Sequence, residues 1–127
     1  MIYLALDDEQ EAVTEMTRSL GLDVLYPASK ETEAAGAVPP AVWKTIVETG
    51  LTAPVSEEFG GGGVPGVVTQ MAAVESLAYG DAGITLAALW GGAPSLLISE
   101  HGTPAQLSAL LASAGDLDVS ARQINCH

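Results

Sequence analysis

Apolar positions recur at helical spacing in four segments of this chain. Repeats of three and four residues place such positions on one face of a helix, and no alternating segment of strand length competes with them. The sequence therefore predicts an all-α domain, a bundle of about five or six helices. The predicted stripes are Val13, Met16 and Leu20; Trp43, Ile46 and Val47; Val67, Met71, Val74 and Ala78; and Leu107, Leu110, Leu111 and Ala114.

Capping residues mark the ends of these helices. Asp7 is followed three residues later by Gln10, and Thr103 by Gln106, which is the spacing of a capping box. Gly50 stands where the second helix should close. The boundaries and the stripes thus predict the same helices.

Residues 82–99 carry no charge and come close to the length of a membrane-spanning helix. Two glycines and Pro94 interrupt them, and the flanking residues are Asp81 and Glu100 rather than Lys or Arg. We interpret this segment as a buried helix of a helical bundle, capped by Asp81 and kinked near Pro94.

The net charge limits the classes of partner that the chain can bind. Four Lys and Arg against sixteen Asp and Glu give a net charge of −12, which disfavours nucleic acid and anionic lipid. Cys126 is the single cysteine, and Met1 is followed by neither a basic region nor a long apolar stretch. We expect a cytoplasmic protein with no membrane partner.

The stretch "EEFGGGGVPG" satisfies G-x-G-x-x-G through Gly61, Gly63 and Gly66, the spacing of a dinucleotide-binding loop. Such a loop follows a buried strand, but Pro54 and two glutamates precede this one. A connection between helices is the favoured interpretation, with nucleotide binding as a rival.

Other candidate chemistry is sparse. His101 and His127 have no Cys or carboxylate at a metal-ligand spacing, so no metal site is predicted. Glu75 and Asp81 are six residues apart on a helix and make a poor acid/base pair. The residues alone predict no catalytic group and no cofactor-binding group.

The order of motifs adds a resemblance. A helix ending in "ETGL" is followed by "PVSEEFGGGG", then by "VESLAYGDAGI", and then by "HGTPAQ" before a leucine-rich helix. From about Leu6 to Leu111 this succession resembles the N-terminal helical domain of the acyl-CoA dehydrogenases. In that family the glycines belong to an interhelical loop, which agrees with the favoured interpretation above.

The resemblance implies an FAD-dependent oxidoreductase that desaturates acyl-CoA thioesters at the α,β position. In the family, the flavin and the catalytic glutamate belong mainly to a middle β-domain and a C-terminal helical domain. After Leu111 this sequence reads "ASAGDLDVSARQINCH", without the Thr-Glu-Pro motif of the β-domain. We therefore expect a domain fragment or truncated form, with residues 1–113 as the domain and 114–127 as a polar tail, not catalytic and without FAD when alone.

The resemblance also implies a role in the substrate pocket. In the family, the N-terminal domain forms part of the wall around the acyl chain, and by analogy that wall falls on Thr85, Leu86, Leu89, Trp90 and Ala93. Ordinary bundle core is the competing interpretation of these residues. The expected partners are an acyl-CoA thioester, and either the missing flavin-binding domains or further copies of the chain. A stand-alone acidic helical module that docks another protein is the alternative function.

Overall fold

A computed structural model describes residues 5–53, 55–59 and 66–114 of the 127-residue chain. These residues form helices and connections with no strand among them, which confirms the predicted all-α class. The α-helices are α1 (Asp8–Leu20), α2 (Tyr26–Ala35), α3 (Pro40–Glu48), α4 (Val67–Ala78), α5 (Ala82–His101) and α6 (Pro104–Ala114), with a π-helical turn at Gly21–Leu25 and a short 3-10 helix at Glu57–Phe59.

The predicted capping boxes are present. Asp7 Oδ1 accepts from the backbone N–H of Gln10 at 2.8 Å, and the Gln10 side chain accepts from the Asp7 N–H at 3.0 Å. Thr103 and Gln106 make the same reciprocal pair before α6. Gly50 closes α3 with a left-handed φ of 77°, a conformation that suits glycine.

One helix was missed by the sequence analysis. The chain does not leave the helical conformation at Gly21 but continues through the π-helical turn into α2, which ends at Gly36 with a left-handed φ of 65°. Pro27 is the second residue of α2, directly after the π-helical turn. The turn also carries Leu25, which is fully buried.

The core gathers side chains from distant parts of the sequence. Its buried cluster consists of Leu25, Trp43, Ile46, Leu77, Ile84 and Ala88, so the π-helical turn, α3, α4 and α5 all contribute to it. The predicted core positions of α3 are confirmed, with Trp43 and Ile46 buried and Val47 half-buried.

The predicted stripe of α4 is wrong at its first two positions, whereas Val74 and Ala78 are half-buried. Val67 and Met71 are exposed, while the buried line runs through Ala73, Ser76 and Leu77. Helices α1 and α4 approach closely at their ends, where Gly21 lies against the backbone of Leu77 and Gly80. In α1, likewise, Thr17 is buried and the predicted core residue Met16 is exposed.

The helices succeed one another in a simple spatial order. The extensive contacts join α1 to α4, α4 to α5, and α5 to α6. Helix α4 therefore lies between α1 and α5, and α5 has neighbours on only part of its circumference.

Candidate functional site

Helix α5 presents an apolar side that the rest of the described chain does not cover. Its N-terminus is fixed by Asp81, whose Oδ1 accepts from the Ile84 N–H at 2.7 Å, as the sequence predicted. One side of the helix is buried, and it includes Ile84, Ala88 and Ser95. The helix continues through Pro94 to His101. The predicted buried helix is therefore buried on one side and exposed on the other.

The exposed side carries a row that we name the α5 stripe, formed by Leu86, Trp90, Ala93 and Leu97. Leu86 is 59% exposed, Trp90 74% and Leu97 62%, and Ala93 is also exposed. Spacings of four, three and four residues keep the four side chains on one face of the helix. A large exposed indole between two exposed leucines is an uncommon solvent surface, and contiguous apolar patches are typical of binding sites.

Three of the five predicted pocket residues lie on this stripe. Leu86, Trp90 and Ala93 are brought together, and Leu89 is half-buried at its edge. Thr85 lies apart from them, because it is 2% exposed and its hydroxyl donates to the Asp81 carbonyl oxygen at 2.7 Å. The sequence analysis omitted Leu97, although its spacing of four residues from Ala93 placed it on the same face.

The two tryptophans occupy opposite environments. Trp43 is 5% exposed and belongs to the core cluster, whereas Trp90 points away from it. The buried Nε1 of Trp43 has no hydrogen-bond partner among the described residues. Trp90 is thus the tryptophan available to a ligand or partner.

Among the described residues, titratable groups do not converge near the stripe into a catalytic set. Glu75 is exposed on α4, and the Asp81 side chain is engaged as a helix cap. His101 Nε2 lies 3.8 Å from a carboxylate oxygen of its neighbour Glu100, and both side chains are exposed. Within the ranges 5–53, 55–59 and 66–114, no group of three or more His, Cys, Asp or Glu could hold a metal ion. Cys126 and His127 lie outside those ranges.

The glycine motif is described only at its end. Gly66 precedes the first turn of α4, and a Cβ added there would meet no atom within 4 Å. Gly61 and Gly63 lie outside the described residues, so the proposed phosphate loop stays a rival prediction.

Helix α5 is also long and apolar enough to cross a membrane, judged by length and composition alone. Its most apolar 18-residue window has a mean hydropathy of 1.4, and 29% of that window is buried within the protein. The core helix of a soluble protein can pass the same test.

Comparison with protein families decides the ancestry of the chain. The family described as acyl-CoA dehydrogenase, N-terminal domain, matches residues 7–116. The chain belongs to the acyl-CoA dehydrogenase family. The match covers α1 to α6, and it confirms the resemblance that the order of motifs predicted.

Within this acyl-CoA dehydrogenase N-terminal domain, the α5 stripe is the candidate functional surface. Comparisons with curated proteins and with solved structures find no significant match. The geometry of the stripe and the family are therefore the two observations that bear on its role.

Proposed function

We propose that this chain forms one wall of the acyl-chain pocket of an FAD-dependent acyl-CoA dehydrogenase-like oxidoreductase and does not catalyse alone. The α5 stripe carries the proposal, since it is an exposed, uncharged row within a domain of this family. An acyl tail is recognised by apolar surface that excludes water. Leu86, Trp90 and Ala93 would contact the tail, Leu89 would border it, and Thr85 would support the helix from the buried side.

Trp90 would set the depth of the pocket. An indole is the largest side chain, and it is rigid apart from two torsions, so it can end a cavity at a defined length. Ala93, on the next turn, leaves open space beside it. The wall would therefore favour acyl tails that stop short of the indole.

We expect this chain alone to hold no FAD. A flavin dinucleotide carries a diphosphate that pairs with cations, and the described cations do not converge on one site. Arg18 stacks over the Tyr79 ring with its guanidinium carbon 4.1 Å from the ring centroid, and Lys44 Nζ lies 3.9 Å from a carboxylate oxygen of Glu48. Lys30 is exposed on α2. In the family, FAD accepts the hydride from the β-carbon and a glutamate outside this domain takes the α-proton, so we derive no step of that reaction from this chain.

We also propose that the protein is cytoplasmic. The two ends of α5 carry Asp81 and Glu100 rather than the Lys and Arg that flank membrane spans on the cytoplasmic side. The helix side opposite the stripe contributes to the core with Ile84 and Ala88, which a span facing lipid on all sides would not.

A domain hybrid tests the pocket proposal. The chain alone should be colourless and should not oxidise an acyl-CoA in the presence of an artificial electron acceptor. Joined to the middle and C-terminal domains of an acyl-CoA dehydrogenase, it should yield a yellow, active enzyme. Trp90→Ala in the hybrid should shift the substrate preference toward longer acyl chains. We expect kcat/KM for the longer substrate to rise by about tenfold, because burying a few more methylenes contributes that much.

Tyr26→Ala is the matched control, because it truncates another exposed aromatic residue, 65% exposed and remote from α5 in the sequence. The control should leave the chain-length profile unchanged. If the hybrid is active and Trp90→Ala does not change its chain-length preference, the assignment of Trp90 to the pocket wall is wrong. A hybrid that binds no FAD, together with a protein partner captured through the stripe, would favour the alternative of an interaction module.

A further inference from the structure

Helix α2 has few anchors in the domain. Among the described α-helices it alone has no buried residue, and its extensive contacts are with the π-helical turn. Ala28, Ser29 and Thr32 are half-buried, and Ala28 packs against the core cluster. A helix of 10 residues is marginal in water without tertiary support. The helical state of α2 therefore depends on one narrow face.

One polar group on that face lacks a partner. The Oγ1 atom of Thr32 is inaccessible to solvent and has no hydrogen-bond partner among the described residues. The hydroxyls of Thr14, Thr17 and Thr45, in other helices, instead donate to the carbonyl oxygen four residues earlier. A buried hydroxyl without a partner disfavours the conformation that buries it, because water would satisfy it elsewhere. The packed position of α2 is therefore opposed by one of its own side chains.

Both ends of α2 have the backbone features of a pivot. At the N-terminal end, the Tyr26 N–H donates to the carbonyl oxygen five residues back, and Pro27 has no N–H to continue the helical ladder. At the C-terminal end, Gly36 has a left-handed φ of 65°. Beyond these pivots the chain is fixed by Leu25, which is fully buried, and by Val38, which packs against the core cluster. The helix thus lies between two fixed points.

We propose that α2 is a strap that opens as a unit while Leu25 and Val38 stay in the core. Opening hydrates the Thr32 hydroxyl and uncovers the part of the core cluster that Ala28 contacts. The other described helices stay folded, because their buried side chains lie outside the strap. Proteins open locally in this way at elements with few buried contacts.

Digestion of the whole, folded chain with trypsin tests the strap. Trypsin cleaves after Lys and Arg, and the chain has Lys30 in α2 and Lys44 in α3, both exposed. Cleavage within a helix requires that the helix open, so its rate follows the opened population. We expect cleavage after Lys30 to be at least about tenfold faster than after Lys44, each rate divided by that of the same bond in a synthetic peptide. The peptides correct for the Glu31 carboxylate beside the first bond.

Thr32→Val is the variant that tests the cause of opening, because valine keeps the shape of the side chain and removes the unpaired hydroxyl. Cleavage after Lys30 should slow by about fivefold relative to a peptide with the same substitution, and cleavage after Lys44 should not change. Thr45→Val is the matched control. It removes a hydroxyl that donates to the Ala41 carbonyl oxygen at 3.1 Å, and it should not slow cleavage after Lys30.

Two results would overturn the proposal. Equal normalised rates after Lys30 and Lys44 would mean that α2 opens only when the whole domain unfolds. A rate after Lys30 that Thr32→Val does not slow would mean that the hydroxyl does not oppose the packed position. Circular dichroism checks that each variant keeps its fold. No step of this test involves acyl-CoA or FAD, so the pocket proposal is tested separately.

Discussion

Gly21 and Gly80 meet where the end of α1 crosses the end of α4. A Cβ on Gly21 would lie 2.7 Å from the Leu77 carbonyl oxygen, and a Cβ on Gly80 would collide with the backbone of Gly21. Both glycines have negative φ, so the restriction comes from the neighbouring backbone and not from the glycine conformation itself. A close backbone contact of this kind is a feature that an apolar periodicity does not predict.

We expect Gly80→Ala to destabilise the protein by about 3 kcal/mol, because the added methyl group meets backbone that cannot rotate away. Gly66→Ala is the control, since a Cβ there meets nothing within 4 Å. The free energy of unfolding should fall by less than about 1 kcal/mol in this control, which is the difference between glycine and alanine at a helix N-cap. Urea denaturation followed by circular dichroism measures both. Equal losses in the two variants would contradict the close crossing.

At the scale of elements, the sequence predicted the helices with side-chain caps and also α3 and α4, which have none and were predicted from their apolar spacing. Asp7, Asp81 and Thr103 each cap the helix assigned to them. Helix α2 was missed because it continues from α1 through the π-helical turn, where Gly21 and Pro27 suggest a break. Leu25, which lies between these two residues, is fully buried in the core.

The Asp81 cap gives a test at this scale. Asp81→Ala should reduce the free energy of unfolding by about 1 kcal/mol, because the Ile84 N–H loses its acceptor at the start of α5. Asp81→Asn should retain most of the stability, since an amide oxygen accepts the same bond. Glu75→Ala, at an exposed position of α4, should change stability by less than about 0.5 kcal/mol. If the Ala and Asn variants at position 81 melt alike, the cap does not stabilise α5.

For the molecule as a whole, the sequence predicted the fold class and the family, and the match over residues 7–116 confirms the family. It predicted the helix that carries the candidate site but not which of its sides is exposed. With every residue of 82–99 uncharged, hydropathy does not distinguish the buried Thr85 and Ala88 from the exposed Leu86 and Trp90. The packing of α5 against α4, α6 and the core residues of α3 separates the two sides.

The uncovered stripe and the order of the helices together make the protein an amphiphile. Helix α1 begins with the exposed carboxylates of Asp8, Glu9 and Glu11, and α4 separates it from α5. The molecule therefore carries an anionic helix start and, on a different helix, an exposed apolar row. We expect the protein to adsorb at an air–water boundary and lower the surface tension, with the α5 stripe turned to the air. Trp90→Ser should weaken that adsorption and Tyr26→Ser should not, which a film-balance measurement can compare; equal adsorption would mean that the stripe does not orient the molecule.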